Sequence, residues 1–351
     1  MDQDLQFVLS EYAEADGGCV IAPVGAAAGF SDARVWRVTT PAGDWAVRRW
    51  PVGQPTAPRR AFLHRFLRYL YDRGLTWIAA PLRTRHGTTY VERAGRTWEV
   101  APWLPGAPDF SPSVRPEKVA AAMEALAKFH QYAAPFPPGP ARNQAPGLVD
   151  RHAYLRLLVQ GDLERLRRAV ADAAKLGRHS DSLLHKSIQI LDLFEQAAPQ
   201  VATELTGRLM TMVPVMPCLR DVWREHVLFE GEQVSGIIDY GALRTDCVAA
   251  DLSRLLGSYH ADDRSGWDAG LAAYERVRPL TDDERSLVAV YDRSSVLLSG
   301  TYWIRWIFVD GIEFPDLQKV ELRMDEWLAR LRHLAGSLPG GLHFSMPIAE
   351  V

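Results

Sequence analysis

The sequence predicts an α+β fold in two lobes, a small β-rich N-terminal lobe followed by a larger, mainly helical one, and three features carry that expectation. Hairpin signals crowd the first hundred residues, where VWRVTT and DWAVRRW flank Pro41-Ala42-Gly43-Asp44, and TTYVER and TWEVAPW flank Ala94-Gly95. A Pro/Gly-rich connector, PWLPGAPDFSPS, follows at 102–113. Beyond it, apolar residues recur mostly at helical spacing.

Between the two hairpins, PRRAFLHRFLRYLYDRG places Phe62, Phe66, Tyr69 and Leu70 on one stripe and ends at Gly74, so one helix packs on the sheet. These boundaries give an N-terminal lobe at 1–101, a hinge at 102–108 and a helical lobe at 109–351. Pro116 opens a helix whose Val119, Met123, Leu126 and His130 share a face. The segment PFPPGPARNQAPG is expected as a loop, with helices at 151–176, 182–198 and 200–210 after it. A short hairpin of VLF and VSGIID around GEQ returns near 227–239, and long helical stretches follow near 283–308 and 316–336. This order implies a cleft beneath the connector.

The chain has 351 residues, a net charge of -3 and 47% hydrophobic residues. There is no Lys/Arg tract, so nothing points to a nucleic-acid partner. Cys19, Cys218 and Cys247 form neither a C-x-x-C pair nor an even disulfide set, which fits a reducing compartment. The N-terminal residues carry no secretory pattern, and the most apolar stretch, SSVLLSGTYWIRWIFVDG, is interrupted by Arg305 and is too short for a span of ~20 residues. A cytoplasmic location without a membrane partner is the expectation; the oligomeric state is not fixed by the sequence.

The chemistry concentrates in Leu219-Arg220-Asp221-Val222-Trp223-Arg224-Glu225-His226 and, after the hairpin, Gly236-Ile237-Ile238-Asp239-Tyr240-Gly241. Phosphoryl transfer needs a carboxylate to orient the attacking hydroxyl and accept its proton, and hard ligands for the cation on the phosphates. A hairpin between Asp221 and Asp239 brings two carboxylates to one end of a cleft; each Asp alone reads equally as a turn or cap residue. These segments resemble the catalytic and metal-binding loops of the aminoglycoside phosphotransferase and homoserine or choline kinase families, which share the protein-kinase-like fold. The resemblance implies a small-molecule kinase using ATP and Mg²⁺ or Mn²⁺, with Asp221 as base, Asp239 as metal ligand and His226 at the second metal position.

The same resemblance extends along the chain. Gly25 to Gly29, in PVGAAAGFS, resembles a degenerate phosphate-covering loop. Trp98-Glu99-Val100-Ala101-Pro102-Trp103 resembles the hinge whose backbone, at Glu99 and Ala101, would pair with adenine; a strand running into a linker is the plain alternative. His130 in LAKFH resembles a supporting core histidine. Asp251, in a segment like the family's downstream G-D-P-x-x-D-L, would brace the catalytic loop or N-cap the next helix.

Three departures stand out. Lysine occurs only at Lys118, Lys128, Lys175, Lys186 and Lys319, so the strand lysine that grips the α/β-phosphates is absent, and Arg48 in Trp45-Ala46-Val47-Arg48 stands there as a phosphate clamp or as a surface residue. The N-terminal helix offers no Glu partner, with His64 near that place. His226 stands where the family's metal-binding Asn would be, so either it ligates a metal softer than Mg²⁺, such as Mn²⁺, Zn²⁺ or Fe²⁺, or it donates to phosphate, or the second metal is gone. The leading expectation is ATP-dependent transfer to a small hydroxyl or amino acceptor. A nucleotide- or ligand-binding pseudokinase and a metal-dependent hydrolase are the alternatives. Tyr302, Trp303 and Trp306, with Trp223, read either as a wall for a cationic acceptor or as helix packing.

Overall fold

The computed structural model describes residues 3–13, 19–24, 33–111, 113–314 and 316–337. In chain order the elements begin with α1 (Gln3–Ser10), β1 (Val20–Val24), β2 (Arg34–Thr40), β3 (Gly43–Arg49), α2 (Ala57–Tyr71), β4 (Val91–Arg93) and β5 (Arg96–Pro102). Next come α3 (Pro116–Ala133), β6 (Ala141–Gln144), α4 (Pro146–Leu157), α5 (Leu163–Lys175), α6 (Asp181–Arg208) and β7 (Met212–Cys218). The remainder is β8 (Val227–Glu230), β9 (Gln233–Ile237), β10 (Arg244–Asp246), α7 (Ala249–His260), α8 (Arg264–Glu275), α9 (Asp282–Ile304) and α10 (Leu317–Ser337). These elements form two compact units, one of Met1–Arg142 with Pro214–Thr281 and one of Asn143–Val213 with Asp282–Val351.

The first unit contains a five-stranded antiparallel sheet in the order β1-β2-β3-β5-β4. Alternation sends Trp36 and Val38, Trp45 and Val47, and Trp98 and Val100 to one face, where they bury with Leu5, Val8, Leu9 and Tyr12. Trp36 and Trp98 stack there with ring centroids 5.4 Å apart. Both expected hairpins form, and the Ala94-Gly95 turn has left-handed φ values of 52° and 69°, as two-residue hairpin loops require. The structure adds β1 and the eight-residue α1 to the expected single helix. Eight residues are too few for periodicity to declare a helix, and packing on the sheet supplies its stability. On α2, Phe66 and Leu70 are buried as expected, together with Leu63 and Leu67.

In the same unit α3 buries Val119, Met123, Leu126 and His130 along one face. The β8–β9 hairpin forms around Gly231, with a register shift between Leu228 and Phe229. The connector docks on that hairpin: the Ala107 and Phe229 N–H groups each donate to the other's carbonyl, at 3.2 and 2.9 Å. Gly106 has φ of +86°, and a Cβ there would meet Ser235 Oγ and stand 2.5 Å from the Phe229 carbonyl oxygen.

The second unit is helical. The helix expected over 151–176 is two, α4 and α5, separated by a π turn at Leu158–Asp162 in which Gly161 has φ of 135°. Conversely, the helices expected at 182–198 and 200–210 are one, α6, which runs through Pro199. Proline there forfeits one hydrogen bond and costs ~3 kcal/mol, which the buried Phe194, Ala197, Ala198, Val201 and Leu205 offset through packing. Gly300 of α9 lets Ile190 of α6 approach, because its Cβ would lie 2.6 Å from Ile190 Cγ2. Trp303 is buried against Trp306 and Phe314, while Tyr302 stacks on Tyr154 at 4.2 Å. The proline-rich stretch expected as a loop contains the short strand β6. No helix among the described residues is long and apolar enough to cross a membrane.

Gly106→Ala should therefore lower stability by at least ~2 kcal/mol through strain and overlap. Gly207→Ala, on α6 with nothing within 4 Å of the added carbon, should be neutral or stabilising. Thermal melts of the two variants check this, and equal melting temperatures would refute the close approach at Gly106.

Candidate active site

Every described residue of the candidate site lies in the first unit. Its foundation is Asp251, in the first turn of α7 and fully buried. The Leu219 and Arg220 N–H groups donate to its two carboxylate oxygens at 2.7 and 2.5 Å, and His130 Nε2 lies 3.0 Å away. His130 is held in turn by Tyr274 Oη at 2.9 Å. Asp251 thus braces the turn at Leu219 and Arg220 rather than capping α7, whose N-cap is Val248. Arg220 sits at φ of +65°, a conformation costing ~1–2 kcal/mol for a residue with a Cβ. Two bonds to a charged acceptor, at ~1.5–3 kcal/mol each, outweigh that cost. His130, Cys218 and Asp251 offer ligand atoms within 4.8 Å of one another, but the hydrogen bonds just described already engage His130 and Asp251.

The brace positions Asp221, the next residue. Trp223 Nε1 donates to Asp221 Oδ1 at 2.7 Å, and Arg254 of α7 places its guanidinium 4.7 Å from the Trp223 ring and Nε 3.8 Å from the same oxygen. His226 lies in a 3-10 turn at Arg224–His226. Its Nδ1 is 3.0 Å from the Asp221 carbonyl oxygen, which can only accept, so the proton is on Nδ1 and Nε2 keeps its lone pair in the neutral ring. The His226 carbonyl accepts from Ile238 N–H at 2.9 Å. His226 therefore ties the Asp221 loop to the Asp239 loop.

Asp239 has φ of 61°, and its Oδ1 accepts from Gly241 N–H at 3.3 Å, the local bond that makes Asp tolerable in this conformation. Arg48 reaches it from β3, with Nη1 and Nη2 at 3.4 and 3.5 Å from Oδ1 and its guanidinium 4.1 Å from the Trp50 ring. The sequence left Arg48 as either a clamp or a surface residue; it points to the second carboxylate. Burial works against the Asp239 charge, but Arg48 and His226, with the Gly241 N–H, hold its pKa below the usual value. From α2, Arg59 Nη2 donates to the Gly241 carbonyl at 3.0 Å.

Glu99 stands opposite Arg48 in the β3–β5 ladder, so both side chains share a face. Its Oε2 lies 2.9 Å from His64 Nε2, with side chains 13% and 5% exposed. Desolvation raises the Glu99 pKa, yet His64 and Arg48 pull it below the usual 4.5. An imidazole on α2 and an acid on β5 thus join helix and strand beside Arg48.

The backbone roles expected of Glu99 and Ala101 are not available to adenine. Glu99 pairs with Arg48 and Ala101 with Ala46, and the flanking bonds Trp50 N–H to Thr97 and Trp103 N–H to Asp44 put these odd-numbered residues' peptide groups toward β3. Pro102, between two such residues, turns its carbonyl the other way. Gly25 and Gly29 lie outside the described residues.

With this geometry in view, residues 24–287 match the phosphotransferase enzyme family. The chain belongs to that family. This phosphotransferase is 26% identical over 249 residues to a homoserine kinase of Methylobacterium nodulans, covering 69% of this chain and 68% of that one. It is 33% identical over 110 residues to a homoserine kinase of Gluconacetobacter diazotrophicus, of which it covers only 34%, across 27% of its own length. Among solved structures, a microcompartment-associated aminopropanol kinase superposes with a TM-score of 0.58 at 14% identity over 95% of each chain. An amicoumacin kinase in complex with AMP-PNP and Ca²⁺ gives 0.57 at 14% identity, over 88% of this chain and 86% of that one. The two-lobed kinase-like fold class is thereby established.

Sequence reasoning missed the Glu99 side chain, Arg59 and Arg254 in this phosphotransferase. Arg254 had a signal, since it follows Asp251 by three residues and so lies on the same side of α7. Glu99 and Arg59 act across sequence separations that no local pattern reports.

Because the folded-state pKa of Glu99 is depressed, its contribution to stability is full above the unfolded value and is lost as pH falls through the folded one. Glu99→Gln should cost ~1–3 kcal/mol at pH 7. The gap to wild type should narrow as pH drops below about 4.5. Melting temperatures at pH 7, 5 and 4 measure it; a gap independent of pH would mean that the Glu99 charge does not stabilise the fold.

Proposed function

We propose that this phosphotransferase transfers the γ-phosphoryl group of ATP to a hydroxyl or amino group of a small molecule, with Asp221 as catalytic base. The observation that carries the reading is the single residue His226 joining the Asp221 and Asp239 loops, through its imidazole to the Asp221 carbonyl and its own carbonyl to Ile238 N–H, beside an arginine on the second carboxylate. Trp223 and Arg254 fix one oxygen of Asp221, which leaves the carboxylate oriented to receive the acceptor's proton. Arg48 meets Asp239 at 3.4–3.5 Å, a loose contact that phosphate oxygens can replace with shorter ones. The Pro102 carbonyl is the outward acceptor for an adenine amine at the hinge.

Asp239 and His226 Nε2 suit a divalent cation, and the mixed oxygen–nitrogen pair fits Mn²⁺ better than an all-oxygen Mg²⁺ site. Such a cation neutralises phosphate charge in this class of reaction. The homoserine and aminopropanol kinases among the relatives support a small hydroxyl compound as acceptor, with homoserine the first to test. The proposed location is the cytoplasm, with no nucleic-acid or membrane partner. A binding protein without turnover is the second reading, favoured by the Arg48–Asp239 contact, in which a protein cation already stands at the metal-ligand carboxylate.

Asp221→Asn should lower turnover ~10²–10⁴-fold while nucleotide affinity stays nearly intact, because a base acts in the transition state. Asp239→Asn should instead weaken metal–nucleotide binding. Steady-state kinetics beside nucleotide titrations separate the two, and unimpaired transfer by Asp221→Asn would remove it as the base. If no acceptor is phosphorylated yet Asp239→Asn abolishes nucleotide binding, the second reading holds.

His226→Asn should shift the metal preference from Mn²⁺ toward Mg²⁺, as an amide oxygen replaces an imidazole nitrogen. Titration of each variant with nucleotide and either cation checks this. An unchanged ratio between the metals would take His226 off the cation.

A further inference from the structure

We propose that the first unit holds a site for a small molecule carrying more than one phosphate group, separate from the Asp221–Asp239 site. A cavity of about 640 Å³ lies against α2, within the ~300–1,000 Å³ typical of small-molecule sites. Five arginines line it: Arg60, Arg65 and Arg68 on α2, Arg73 just past its end, and Arg83 in the segment that leads to β4. The lining residues from Ala57 to Arg73 recur mostly three and four positions apart, so one continuous stripe of the helix faces the cavity. Leu63, Phe66, Leu67 and Leu70 are buried outside that stripe. Neither Arg48 nor Asp221, His226 or Asp239 lines the cavity.

The lining carries more positive charge than its carboxylates balance. Arg60 has Glu92 at 3.1 Å and Arg68 has Asp72 at 3.0 Å, while His64 is engaged by Thr89 and Glu99 at 2.8 and 2.9 Å. The other three arginines are exposed, and their partners among the described residues are uncharged. Arg65 lies 5.2 Å from the Phe136 ring, Arg73 meets the Tyr69 carbonyl at 3.5 Å and Arg83 donates to the Gly87 carbonyl at 3.0 Å. Five guanidiniums against the carboxylates of Glu92 and Asp72, with the His64–Glu99 pair set aside, leave an excess of about three positive charges around one cavity. One carboxylate cannot balance that; two phosphate groups can. Two of the cations are also held in place. Arg60 and Arg73 each lie 3.6 Å from a ring centroid, of Tyr90 and Tyr69, and both tyrosines line the cavity. A guanidinium fixed by its flat face keeps N–H groups at its edge, where a pair of them matches two phosphate oxygens.

The test is a thermal-shift titration of the full chain with pyrophosphate in buffer freed of divalent metal, against chloride and the tricarboxylate tricarballylate at matched ionic strength. Wild type should be stabilised by pyrophosphate beyond either control. The double variant Arg73→Gln, Arg83→Gln should weaken the apparent pyrophosphate affinity at least ~10-fold, since two charge-assisted contacts are lost, and Arg65→Gln should weaken it in the same direction. Arg48→Ala should leave it within ~2-fold. All three substituted groove arginines are exposed, so the variants should melt as wild type does without added anion. Stabilisation no greater than by chloride, or pyrophosphate binding that survives the double variant and is lost in Arg48→Ala, would overturn the site; tricarballylate binding as tightly as pyrophosphate would overturn phosphate as its ligand. The readout needs neither nucleotide nor transfer, so its failure is separable from failure of the proposed reaction.

Discussion

Two backbone N–H groups, of Leu219 and Arg220, end on one carboxylate that water does not reach, and the geometry of the candidate active site follows from that arrangement. A buried carboxylate is tolerable only when its oxygens are saturated with donors. Asp251 obtains them from Leu219, Arg220 and His130. The loop in exchange acquires a left-handed residue at Arg220, which reverses the chain and presents Asp221. His130 comes from α3 and Tyr274 from α8, so the helices of the first unit are tied to the loop by polar bonds as well as by apolar packing.

A second constraint governs the sheet side. A fold that uses a strand cation on phosphate must keep that cation extended and charged, and an acidic partner nearby does this at small cost. Here Glu99, on the strand beside β3, is directly opposite Arg48, and His64 on α2 holds the acid. The absence of lysine before Lys118 and of glutamate in α2 is therefore one coordinated change. Arginine is longer and carries a fork of donors, and here it stacks over Trp50 and extends to Asp239.

The sheet hairpins were legible because turn chemistry and strand alternation are local: Ala94-Gly95 and the alternating Trp and Val residues each act through near neighbours. The pattern of α3 was legible for the same reason. Its breaks were not. Pro199 should end a helix on local grounds, and α6 continues because its buried face spans the proline; the 151–176 segment should be one helix, and Gly161 breaks it. The hinge was read as one backbone at Glu99 and Ala101, although the parity of the ladder turns those peptide groups toward β3.

The sequence by itself determined the spacing of Asp221, His226 and Asp239, the loss of the strand lysine and the order of strand-rich and helical segments, all of which are properties of residue type and separation along the chain. Only the tertiary structure decided that His64 meets Glu99, that Arg48 points at Asp239, and that Asp251 bonds Leu219 and Arg220 instead of capping its helix. These pairings link residues from 31 to 191 positions apart. Which of them form depends on strand register and on the burial that makes a charge seek its partner, and neither is encoded in any short window of sequence.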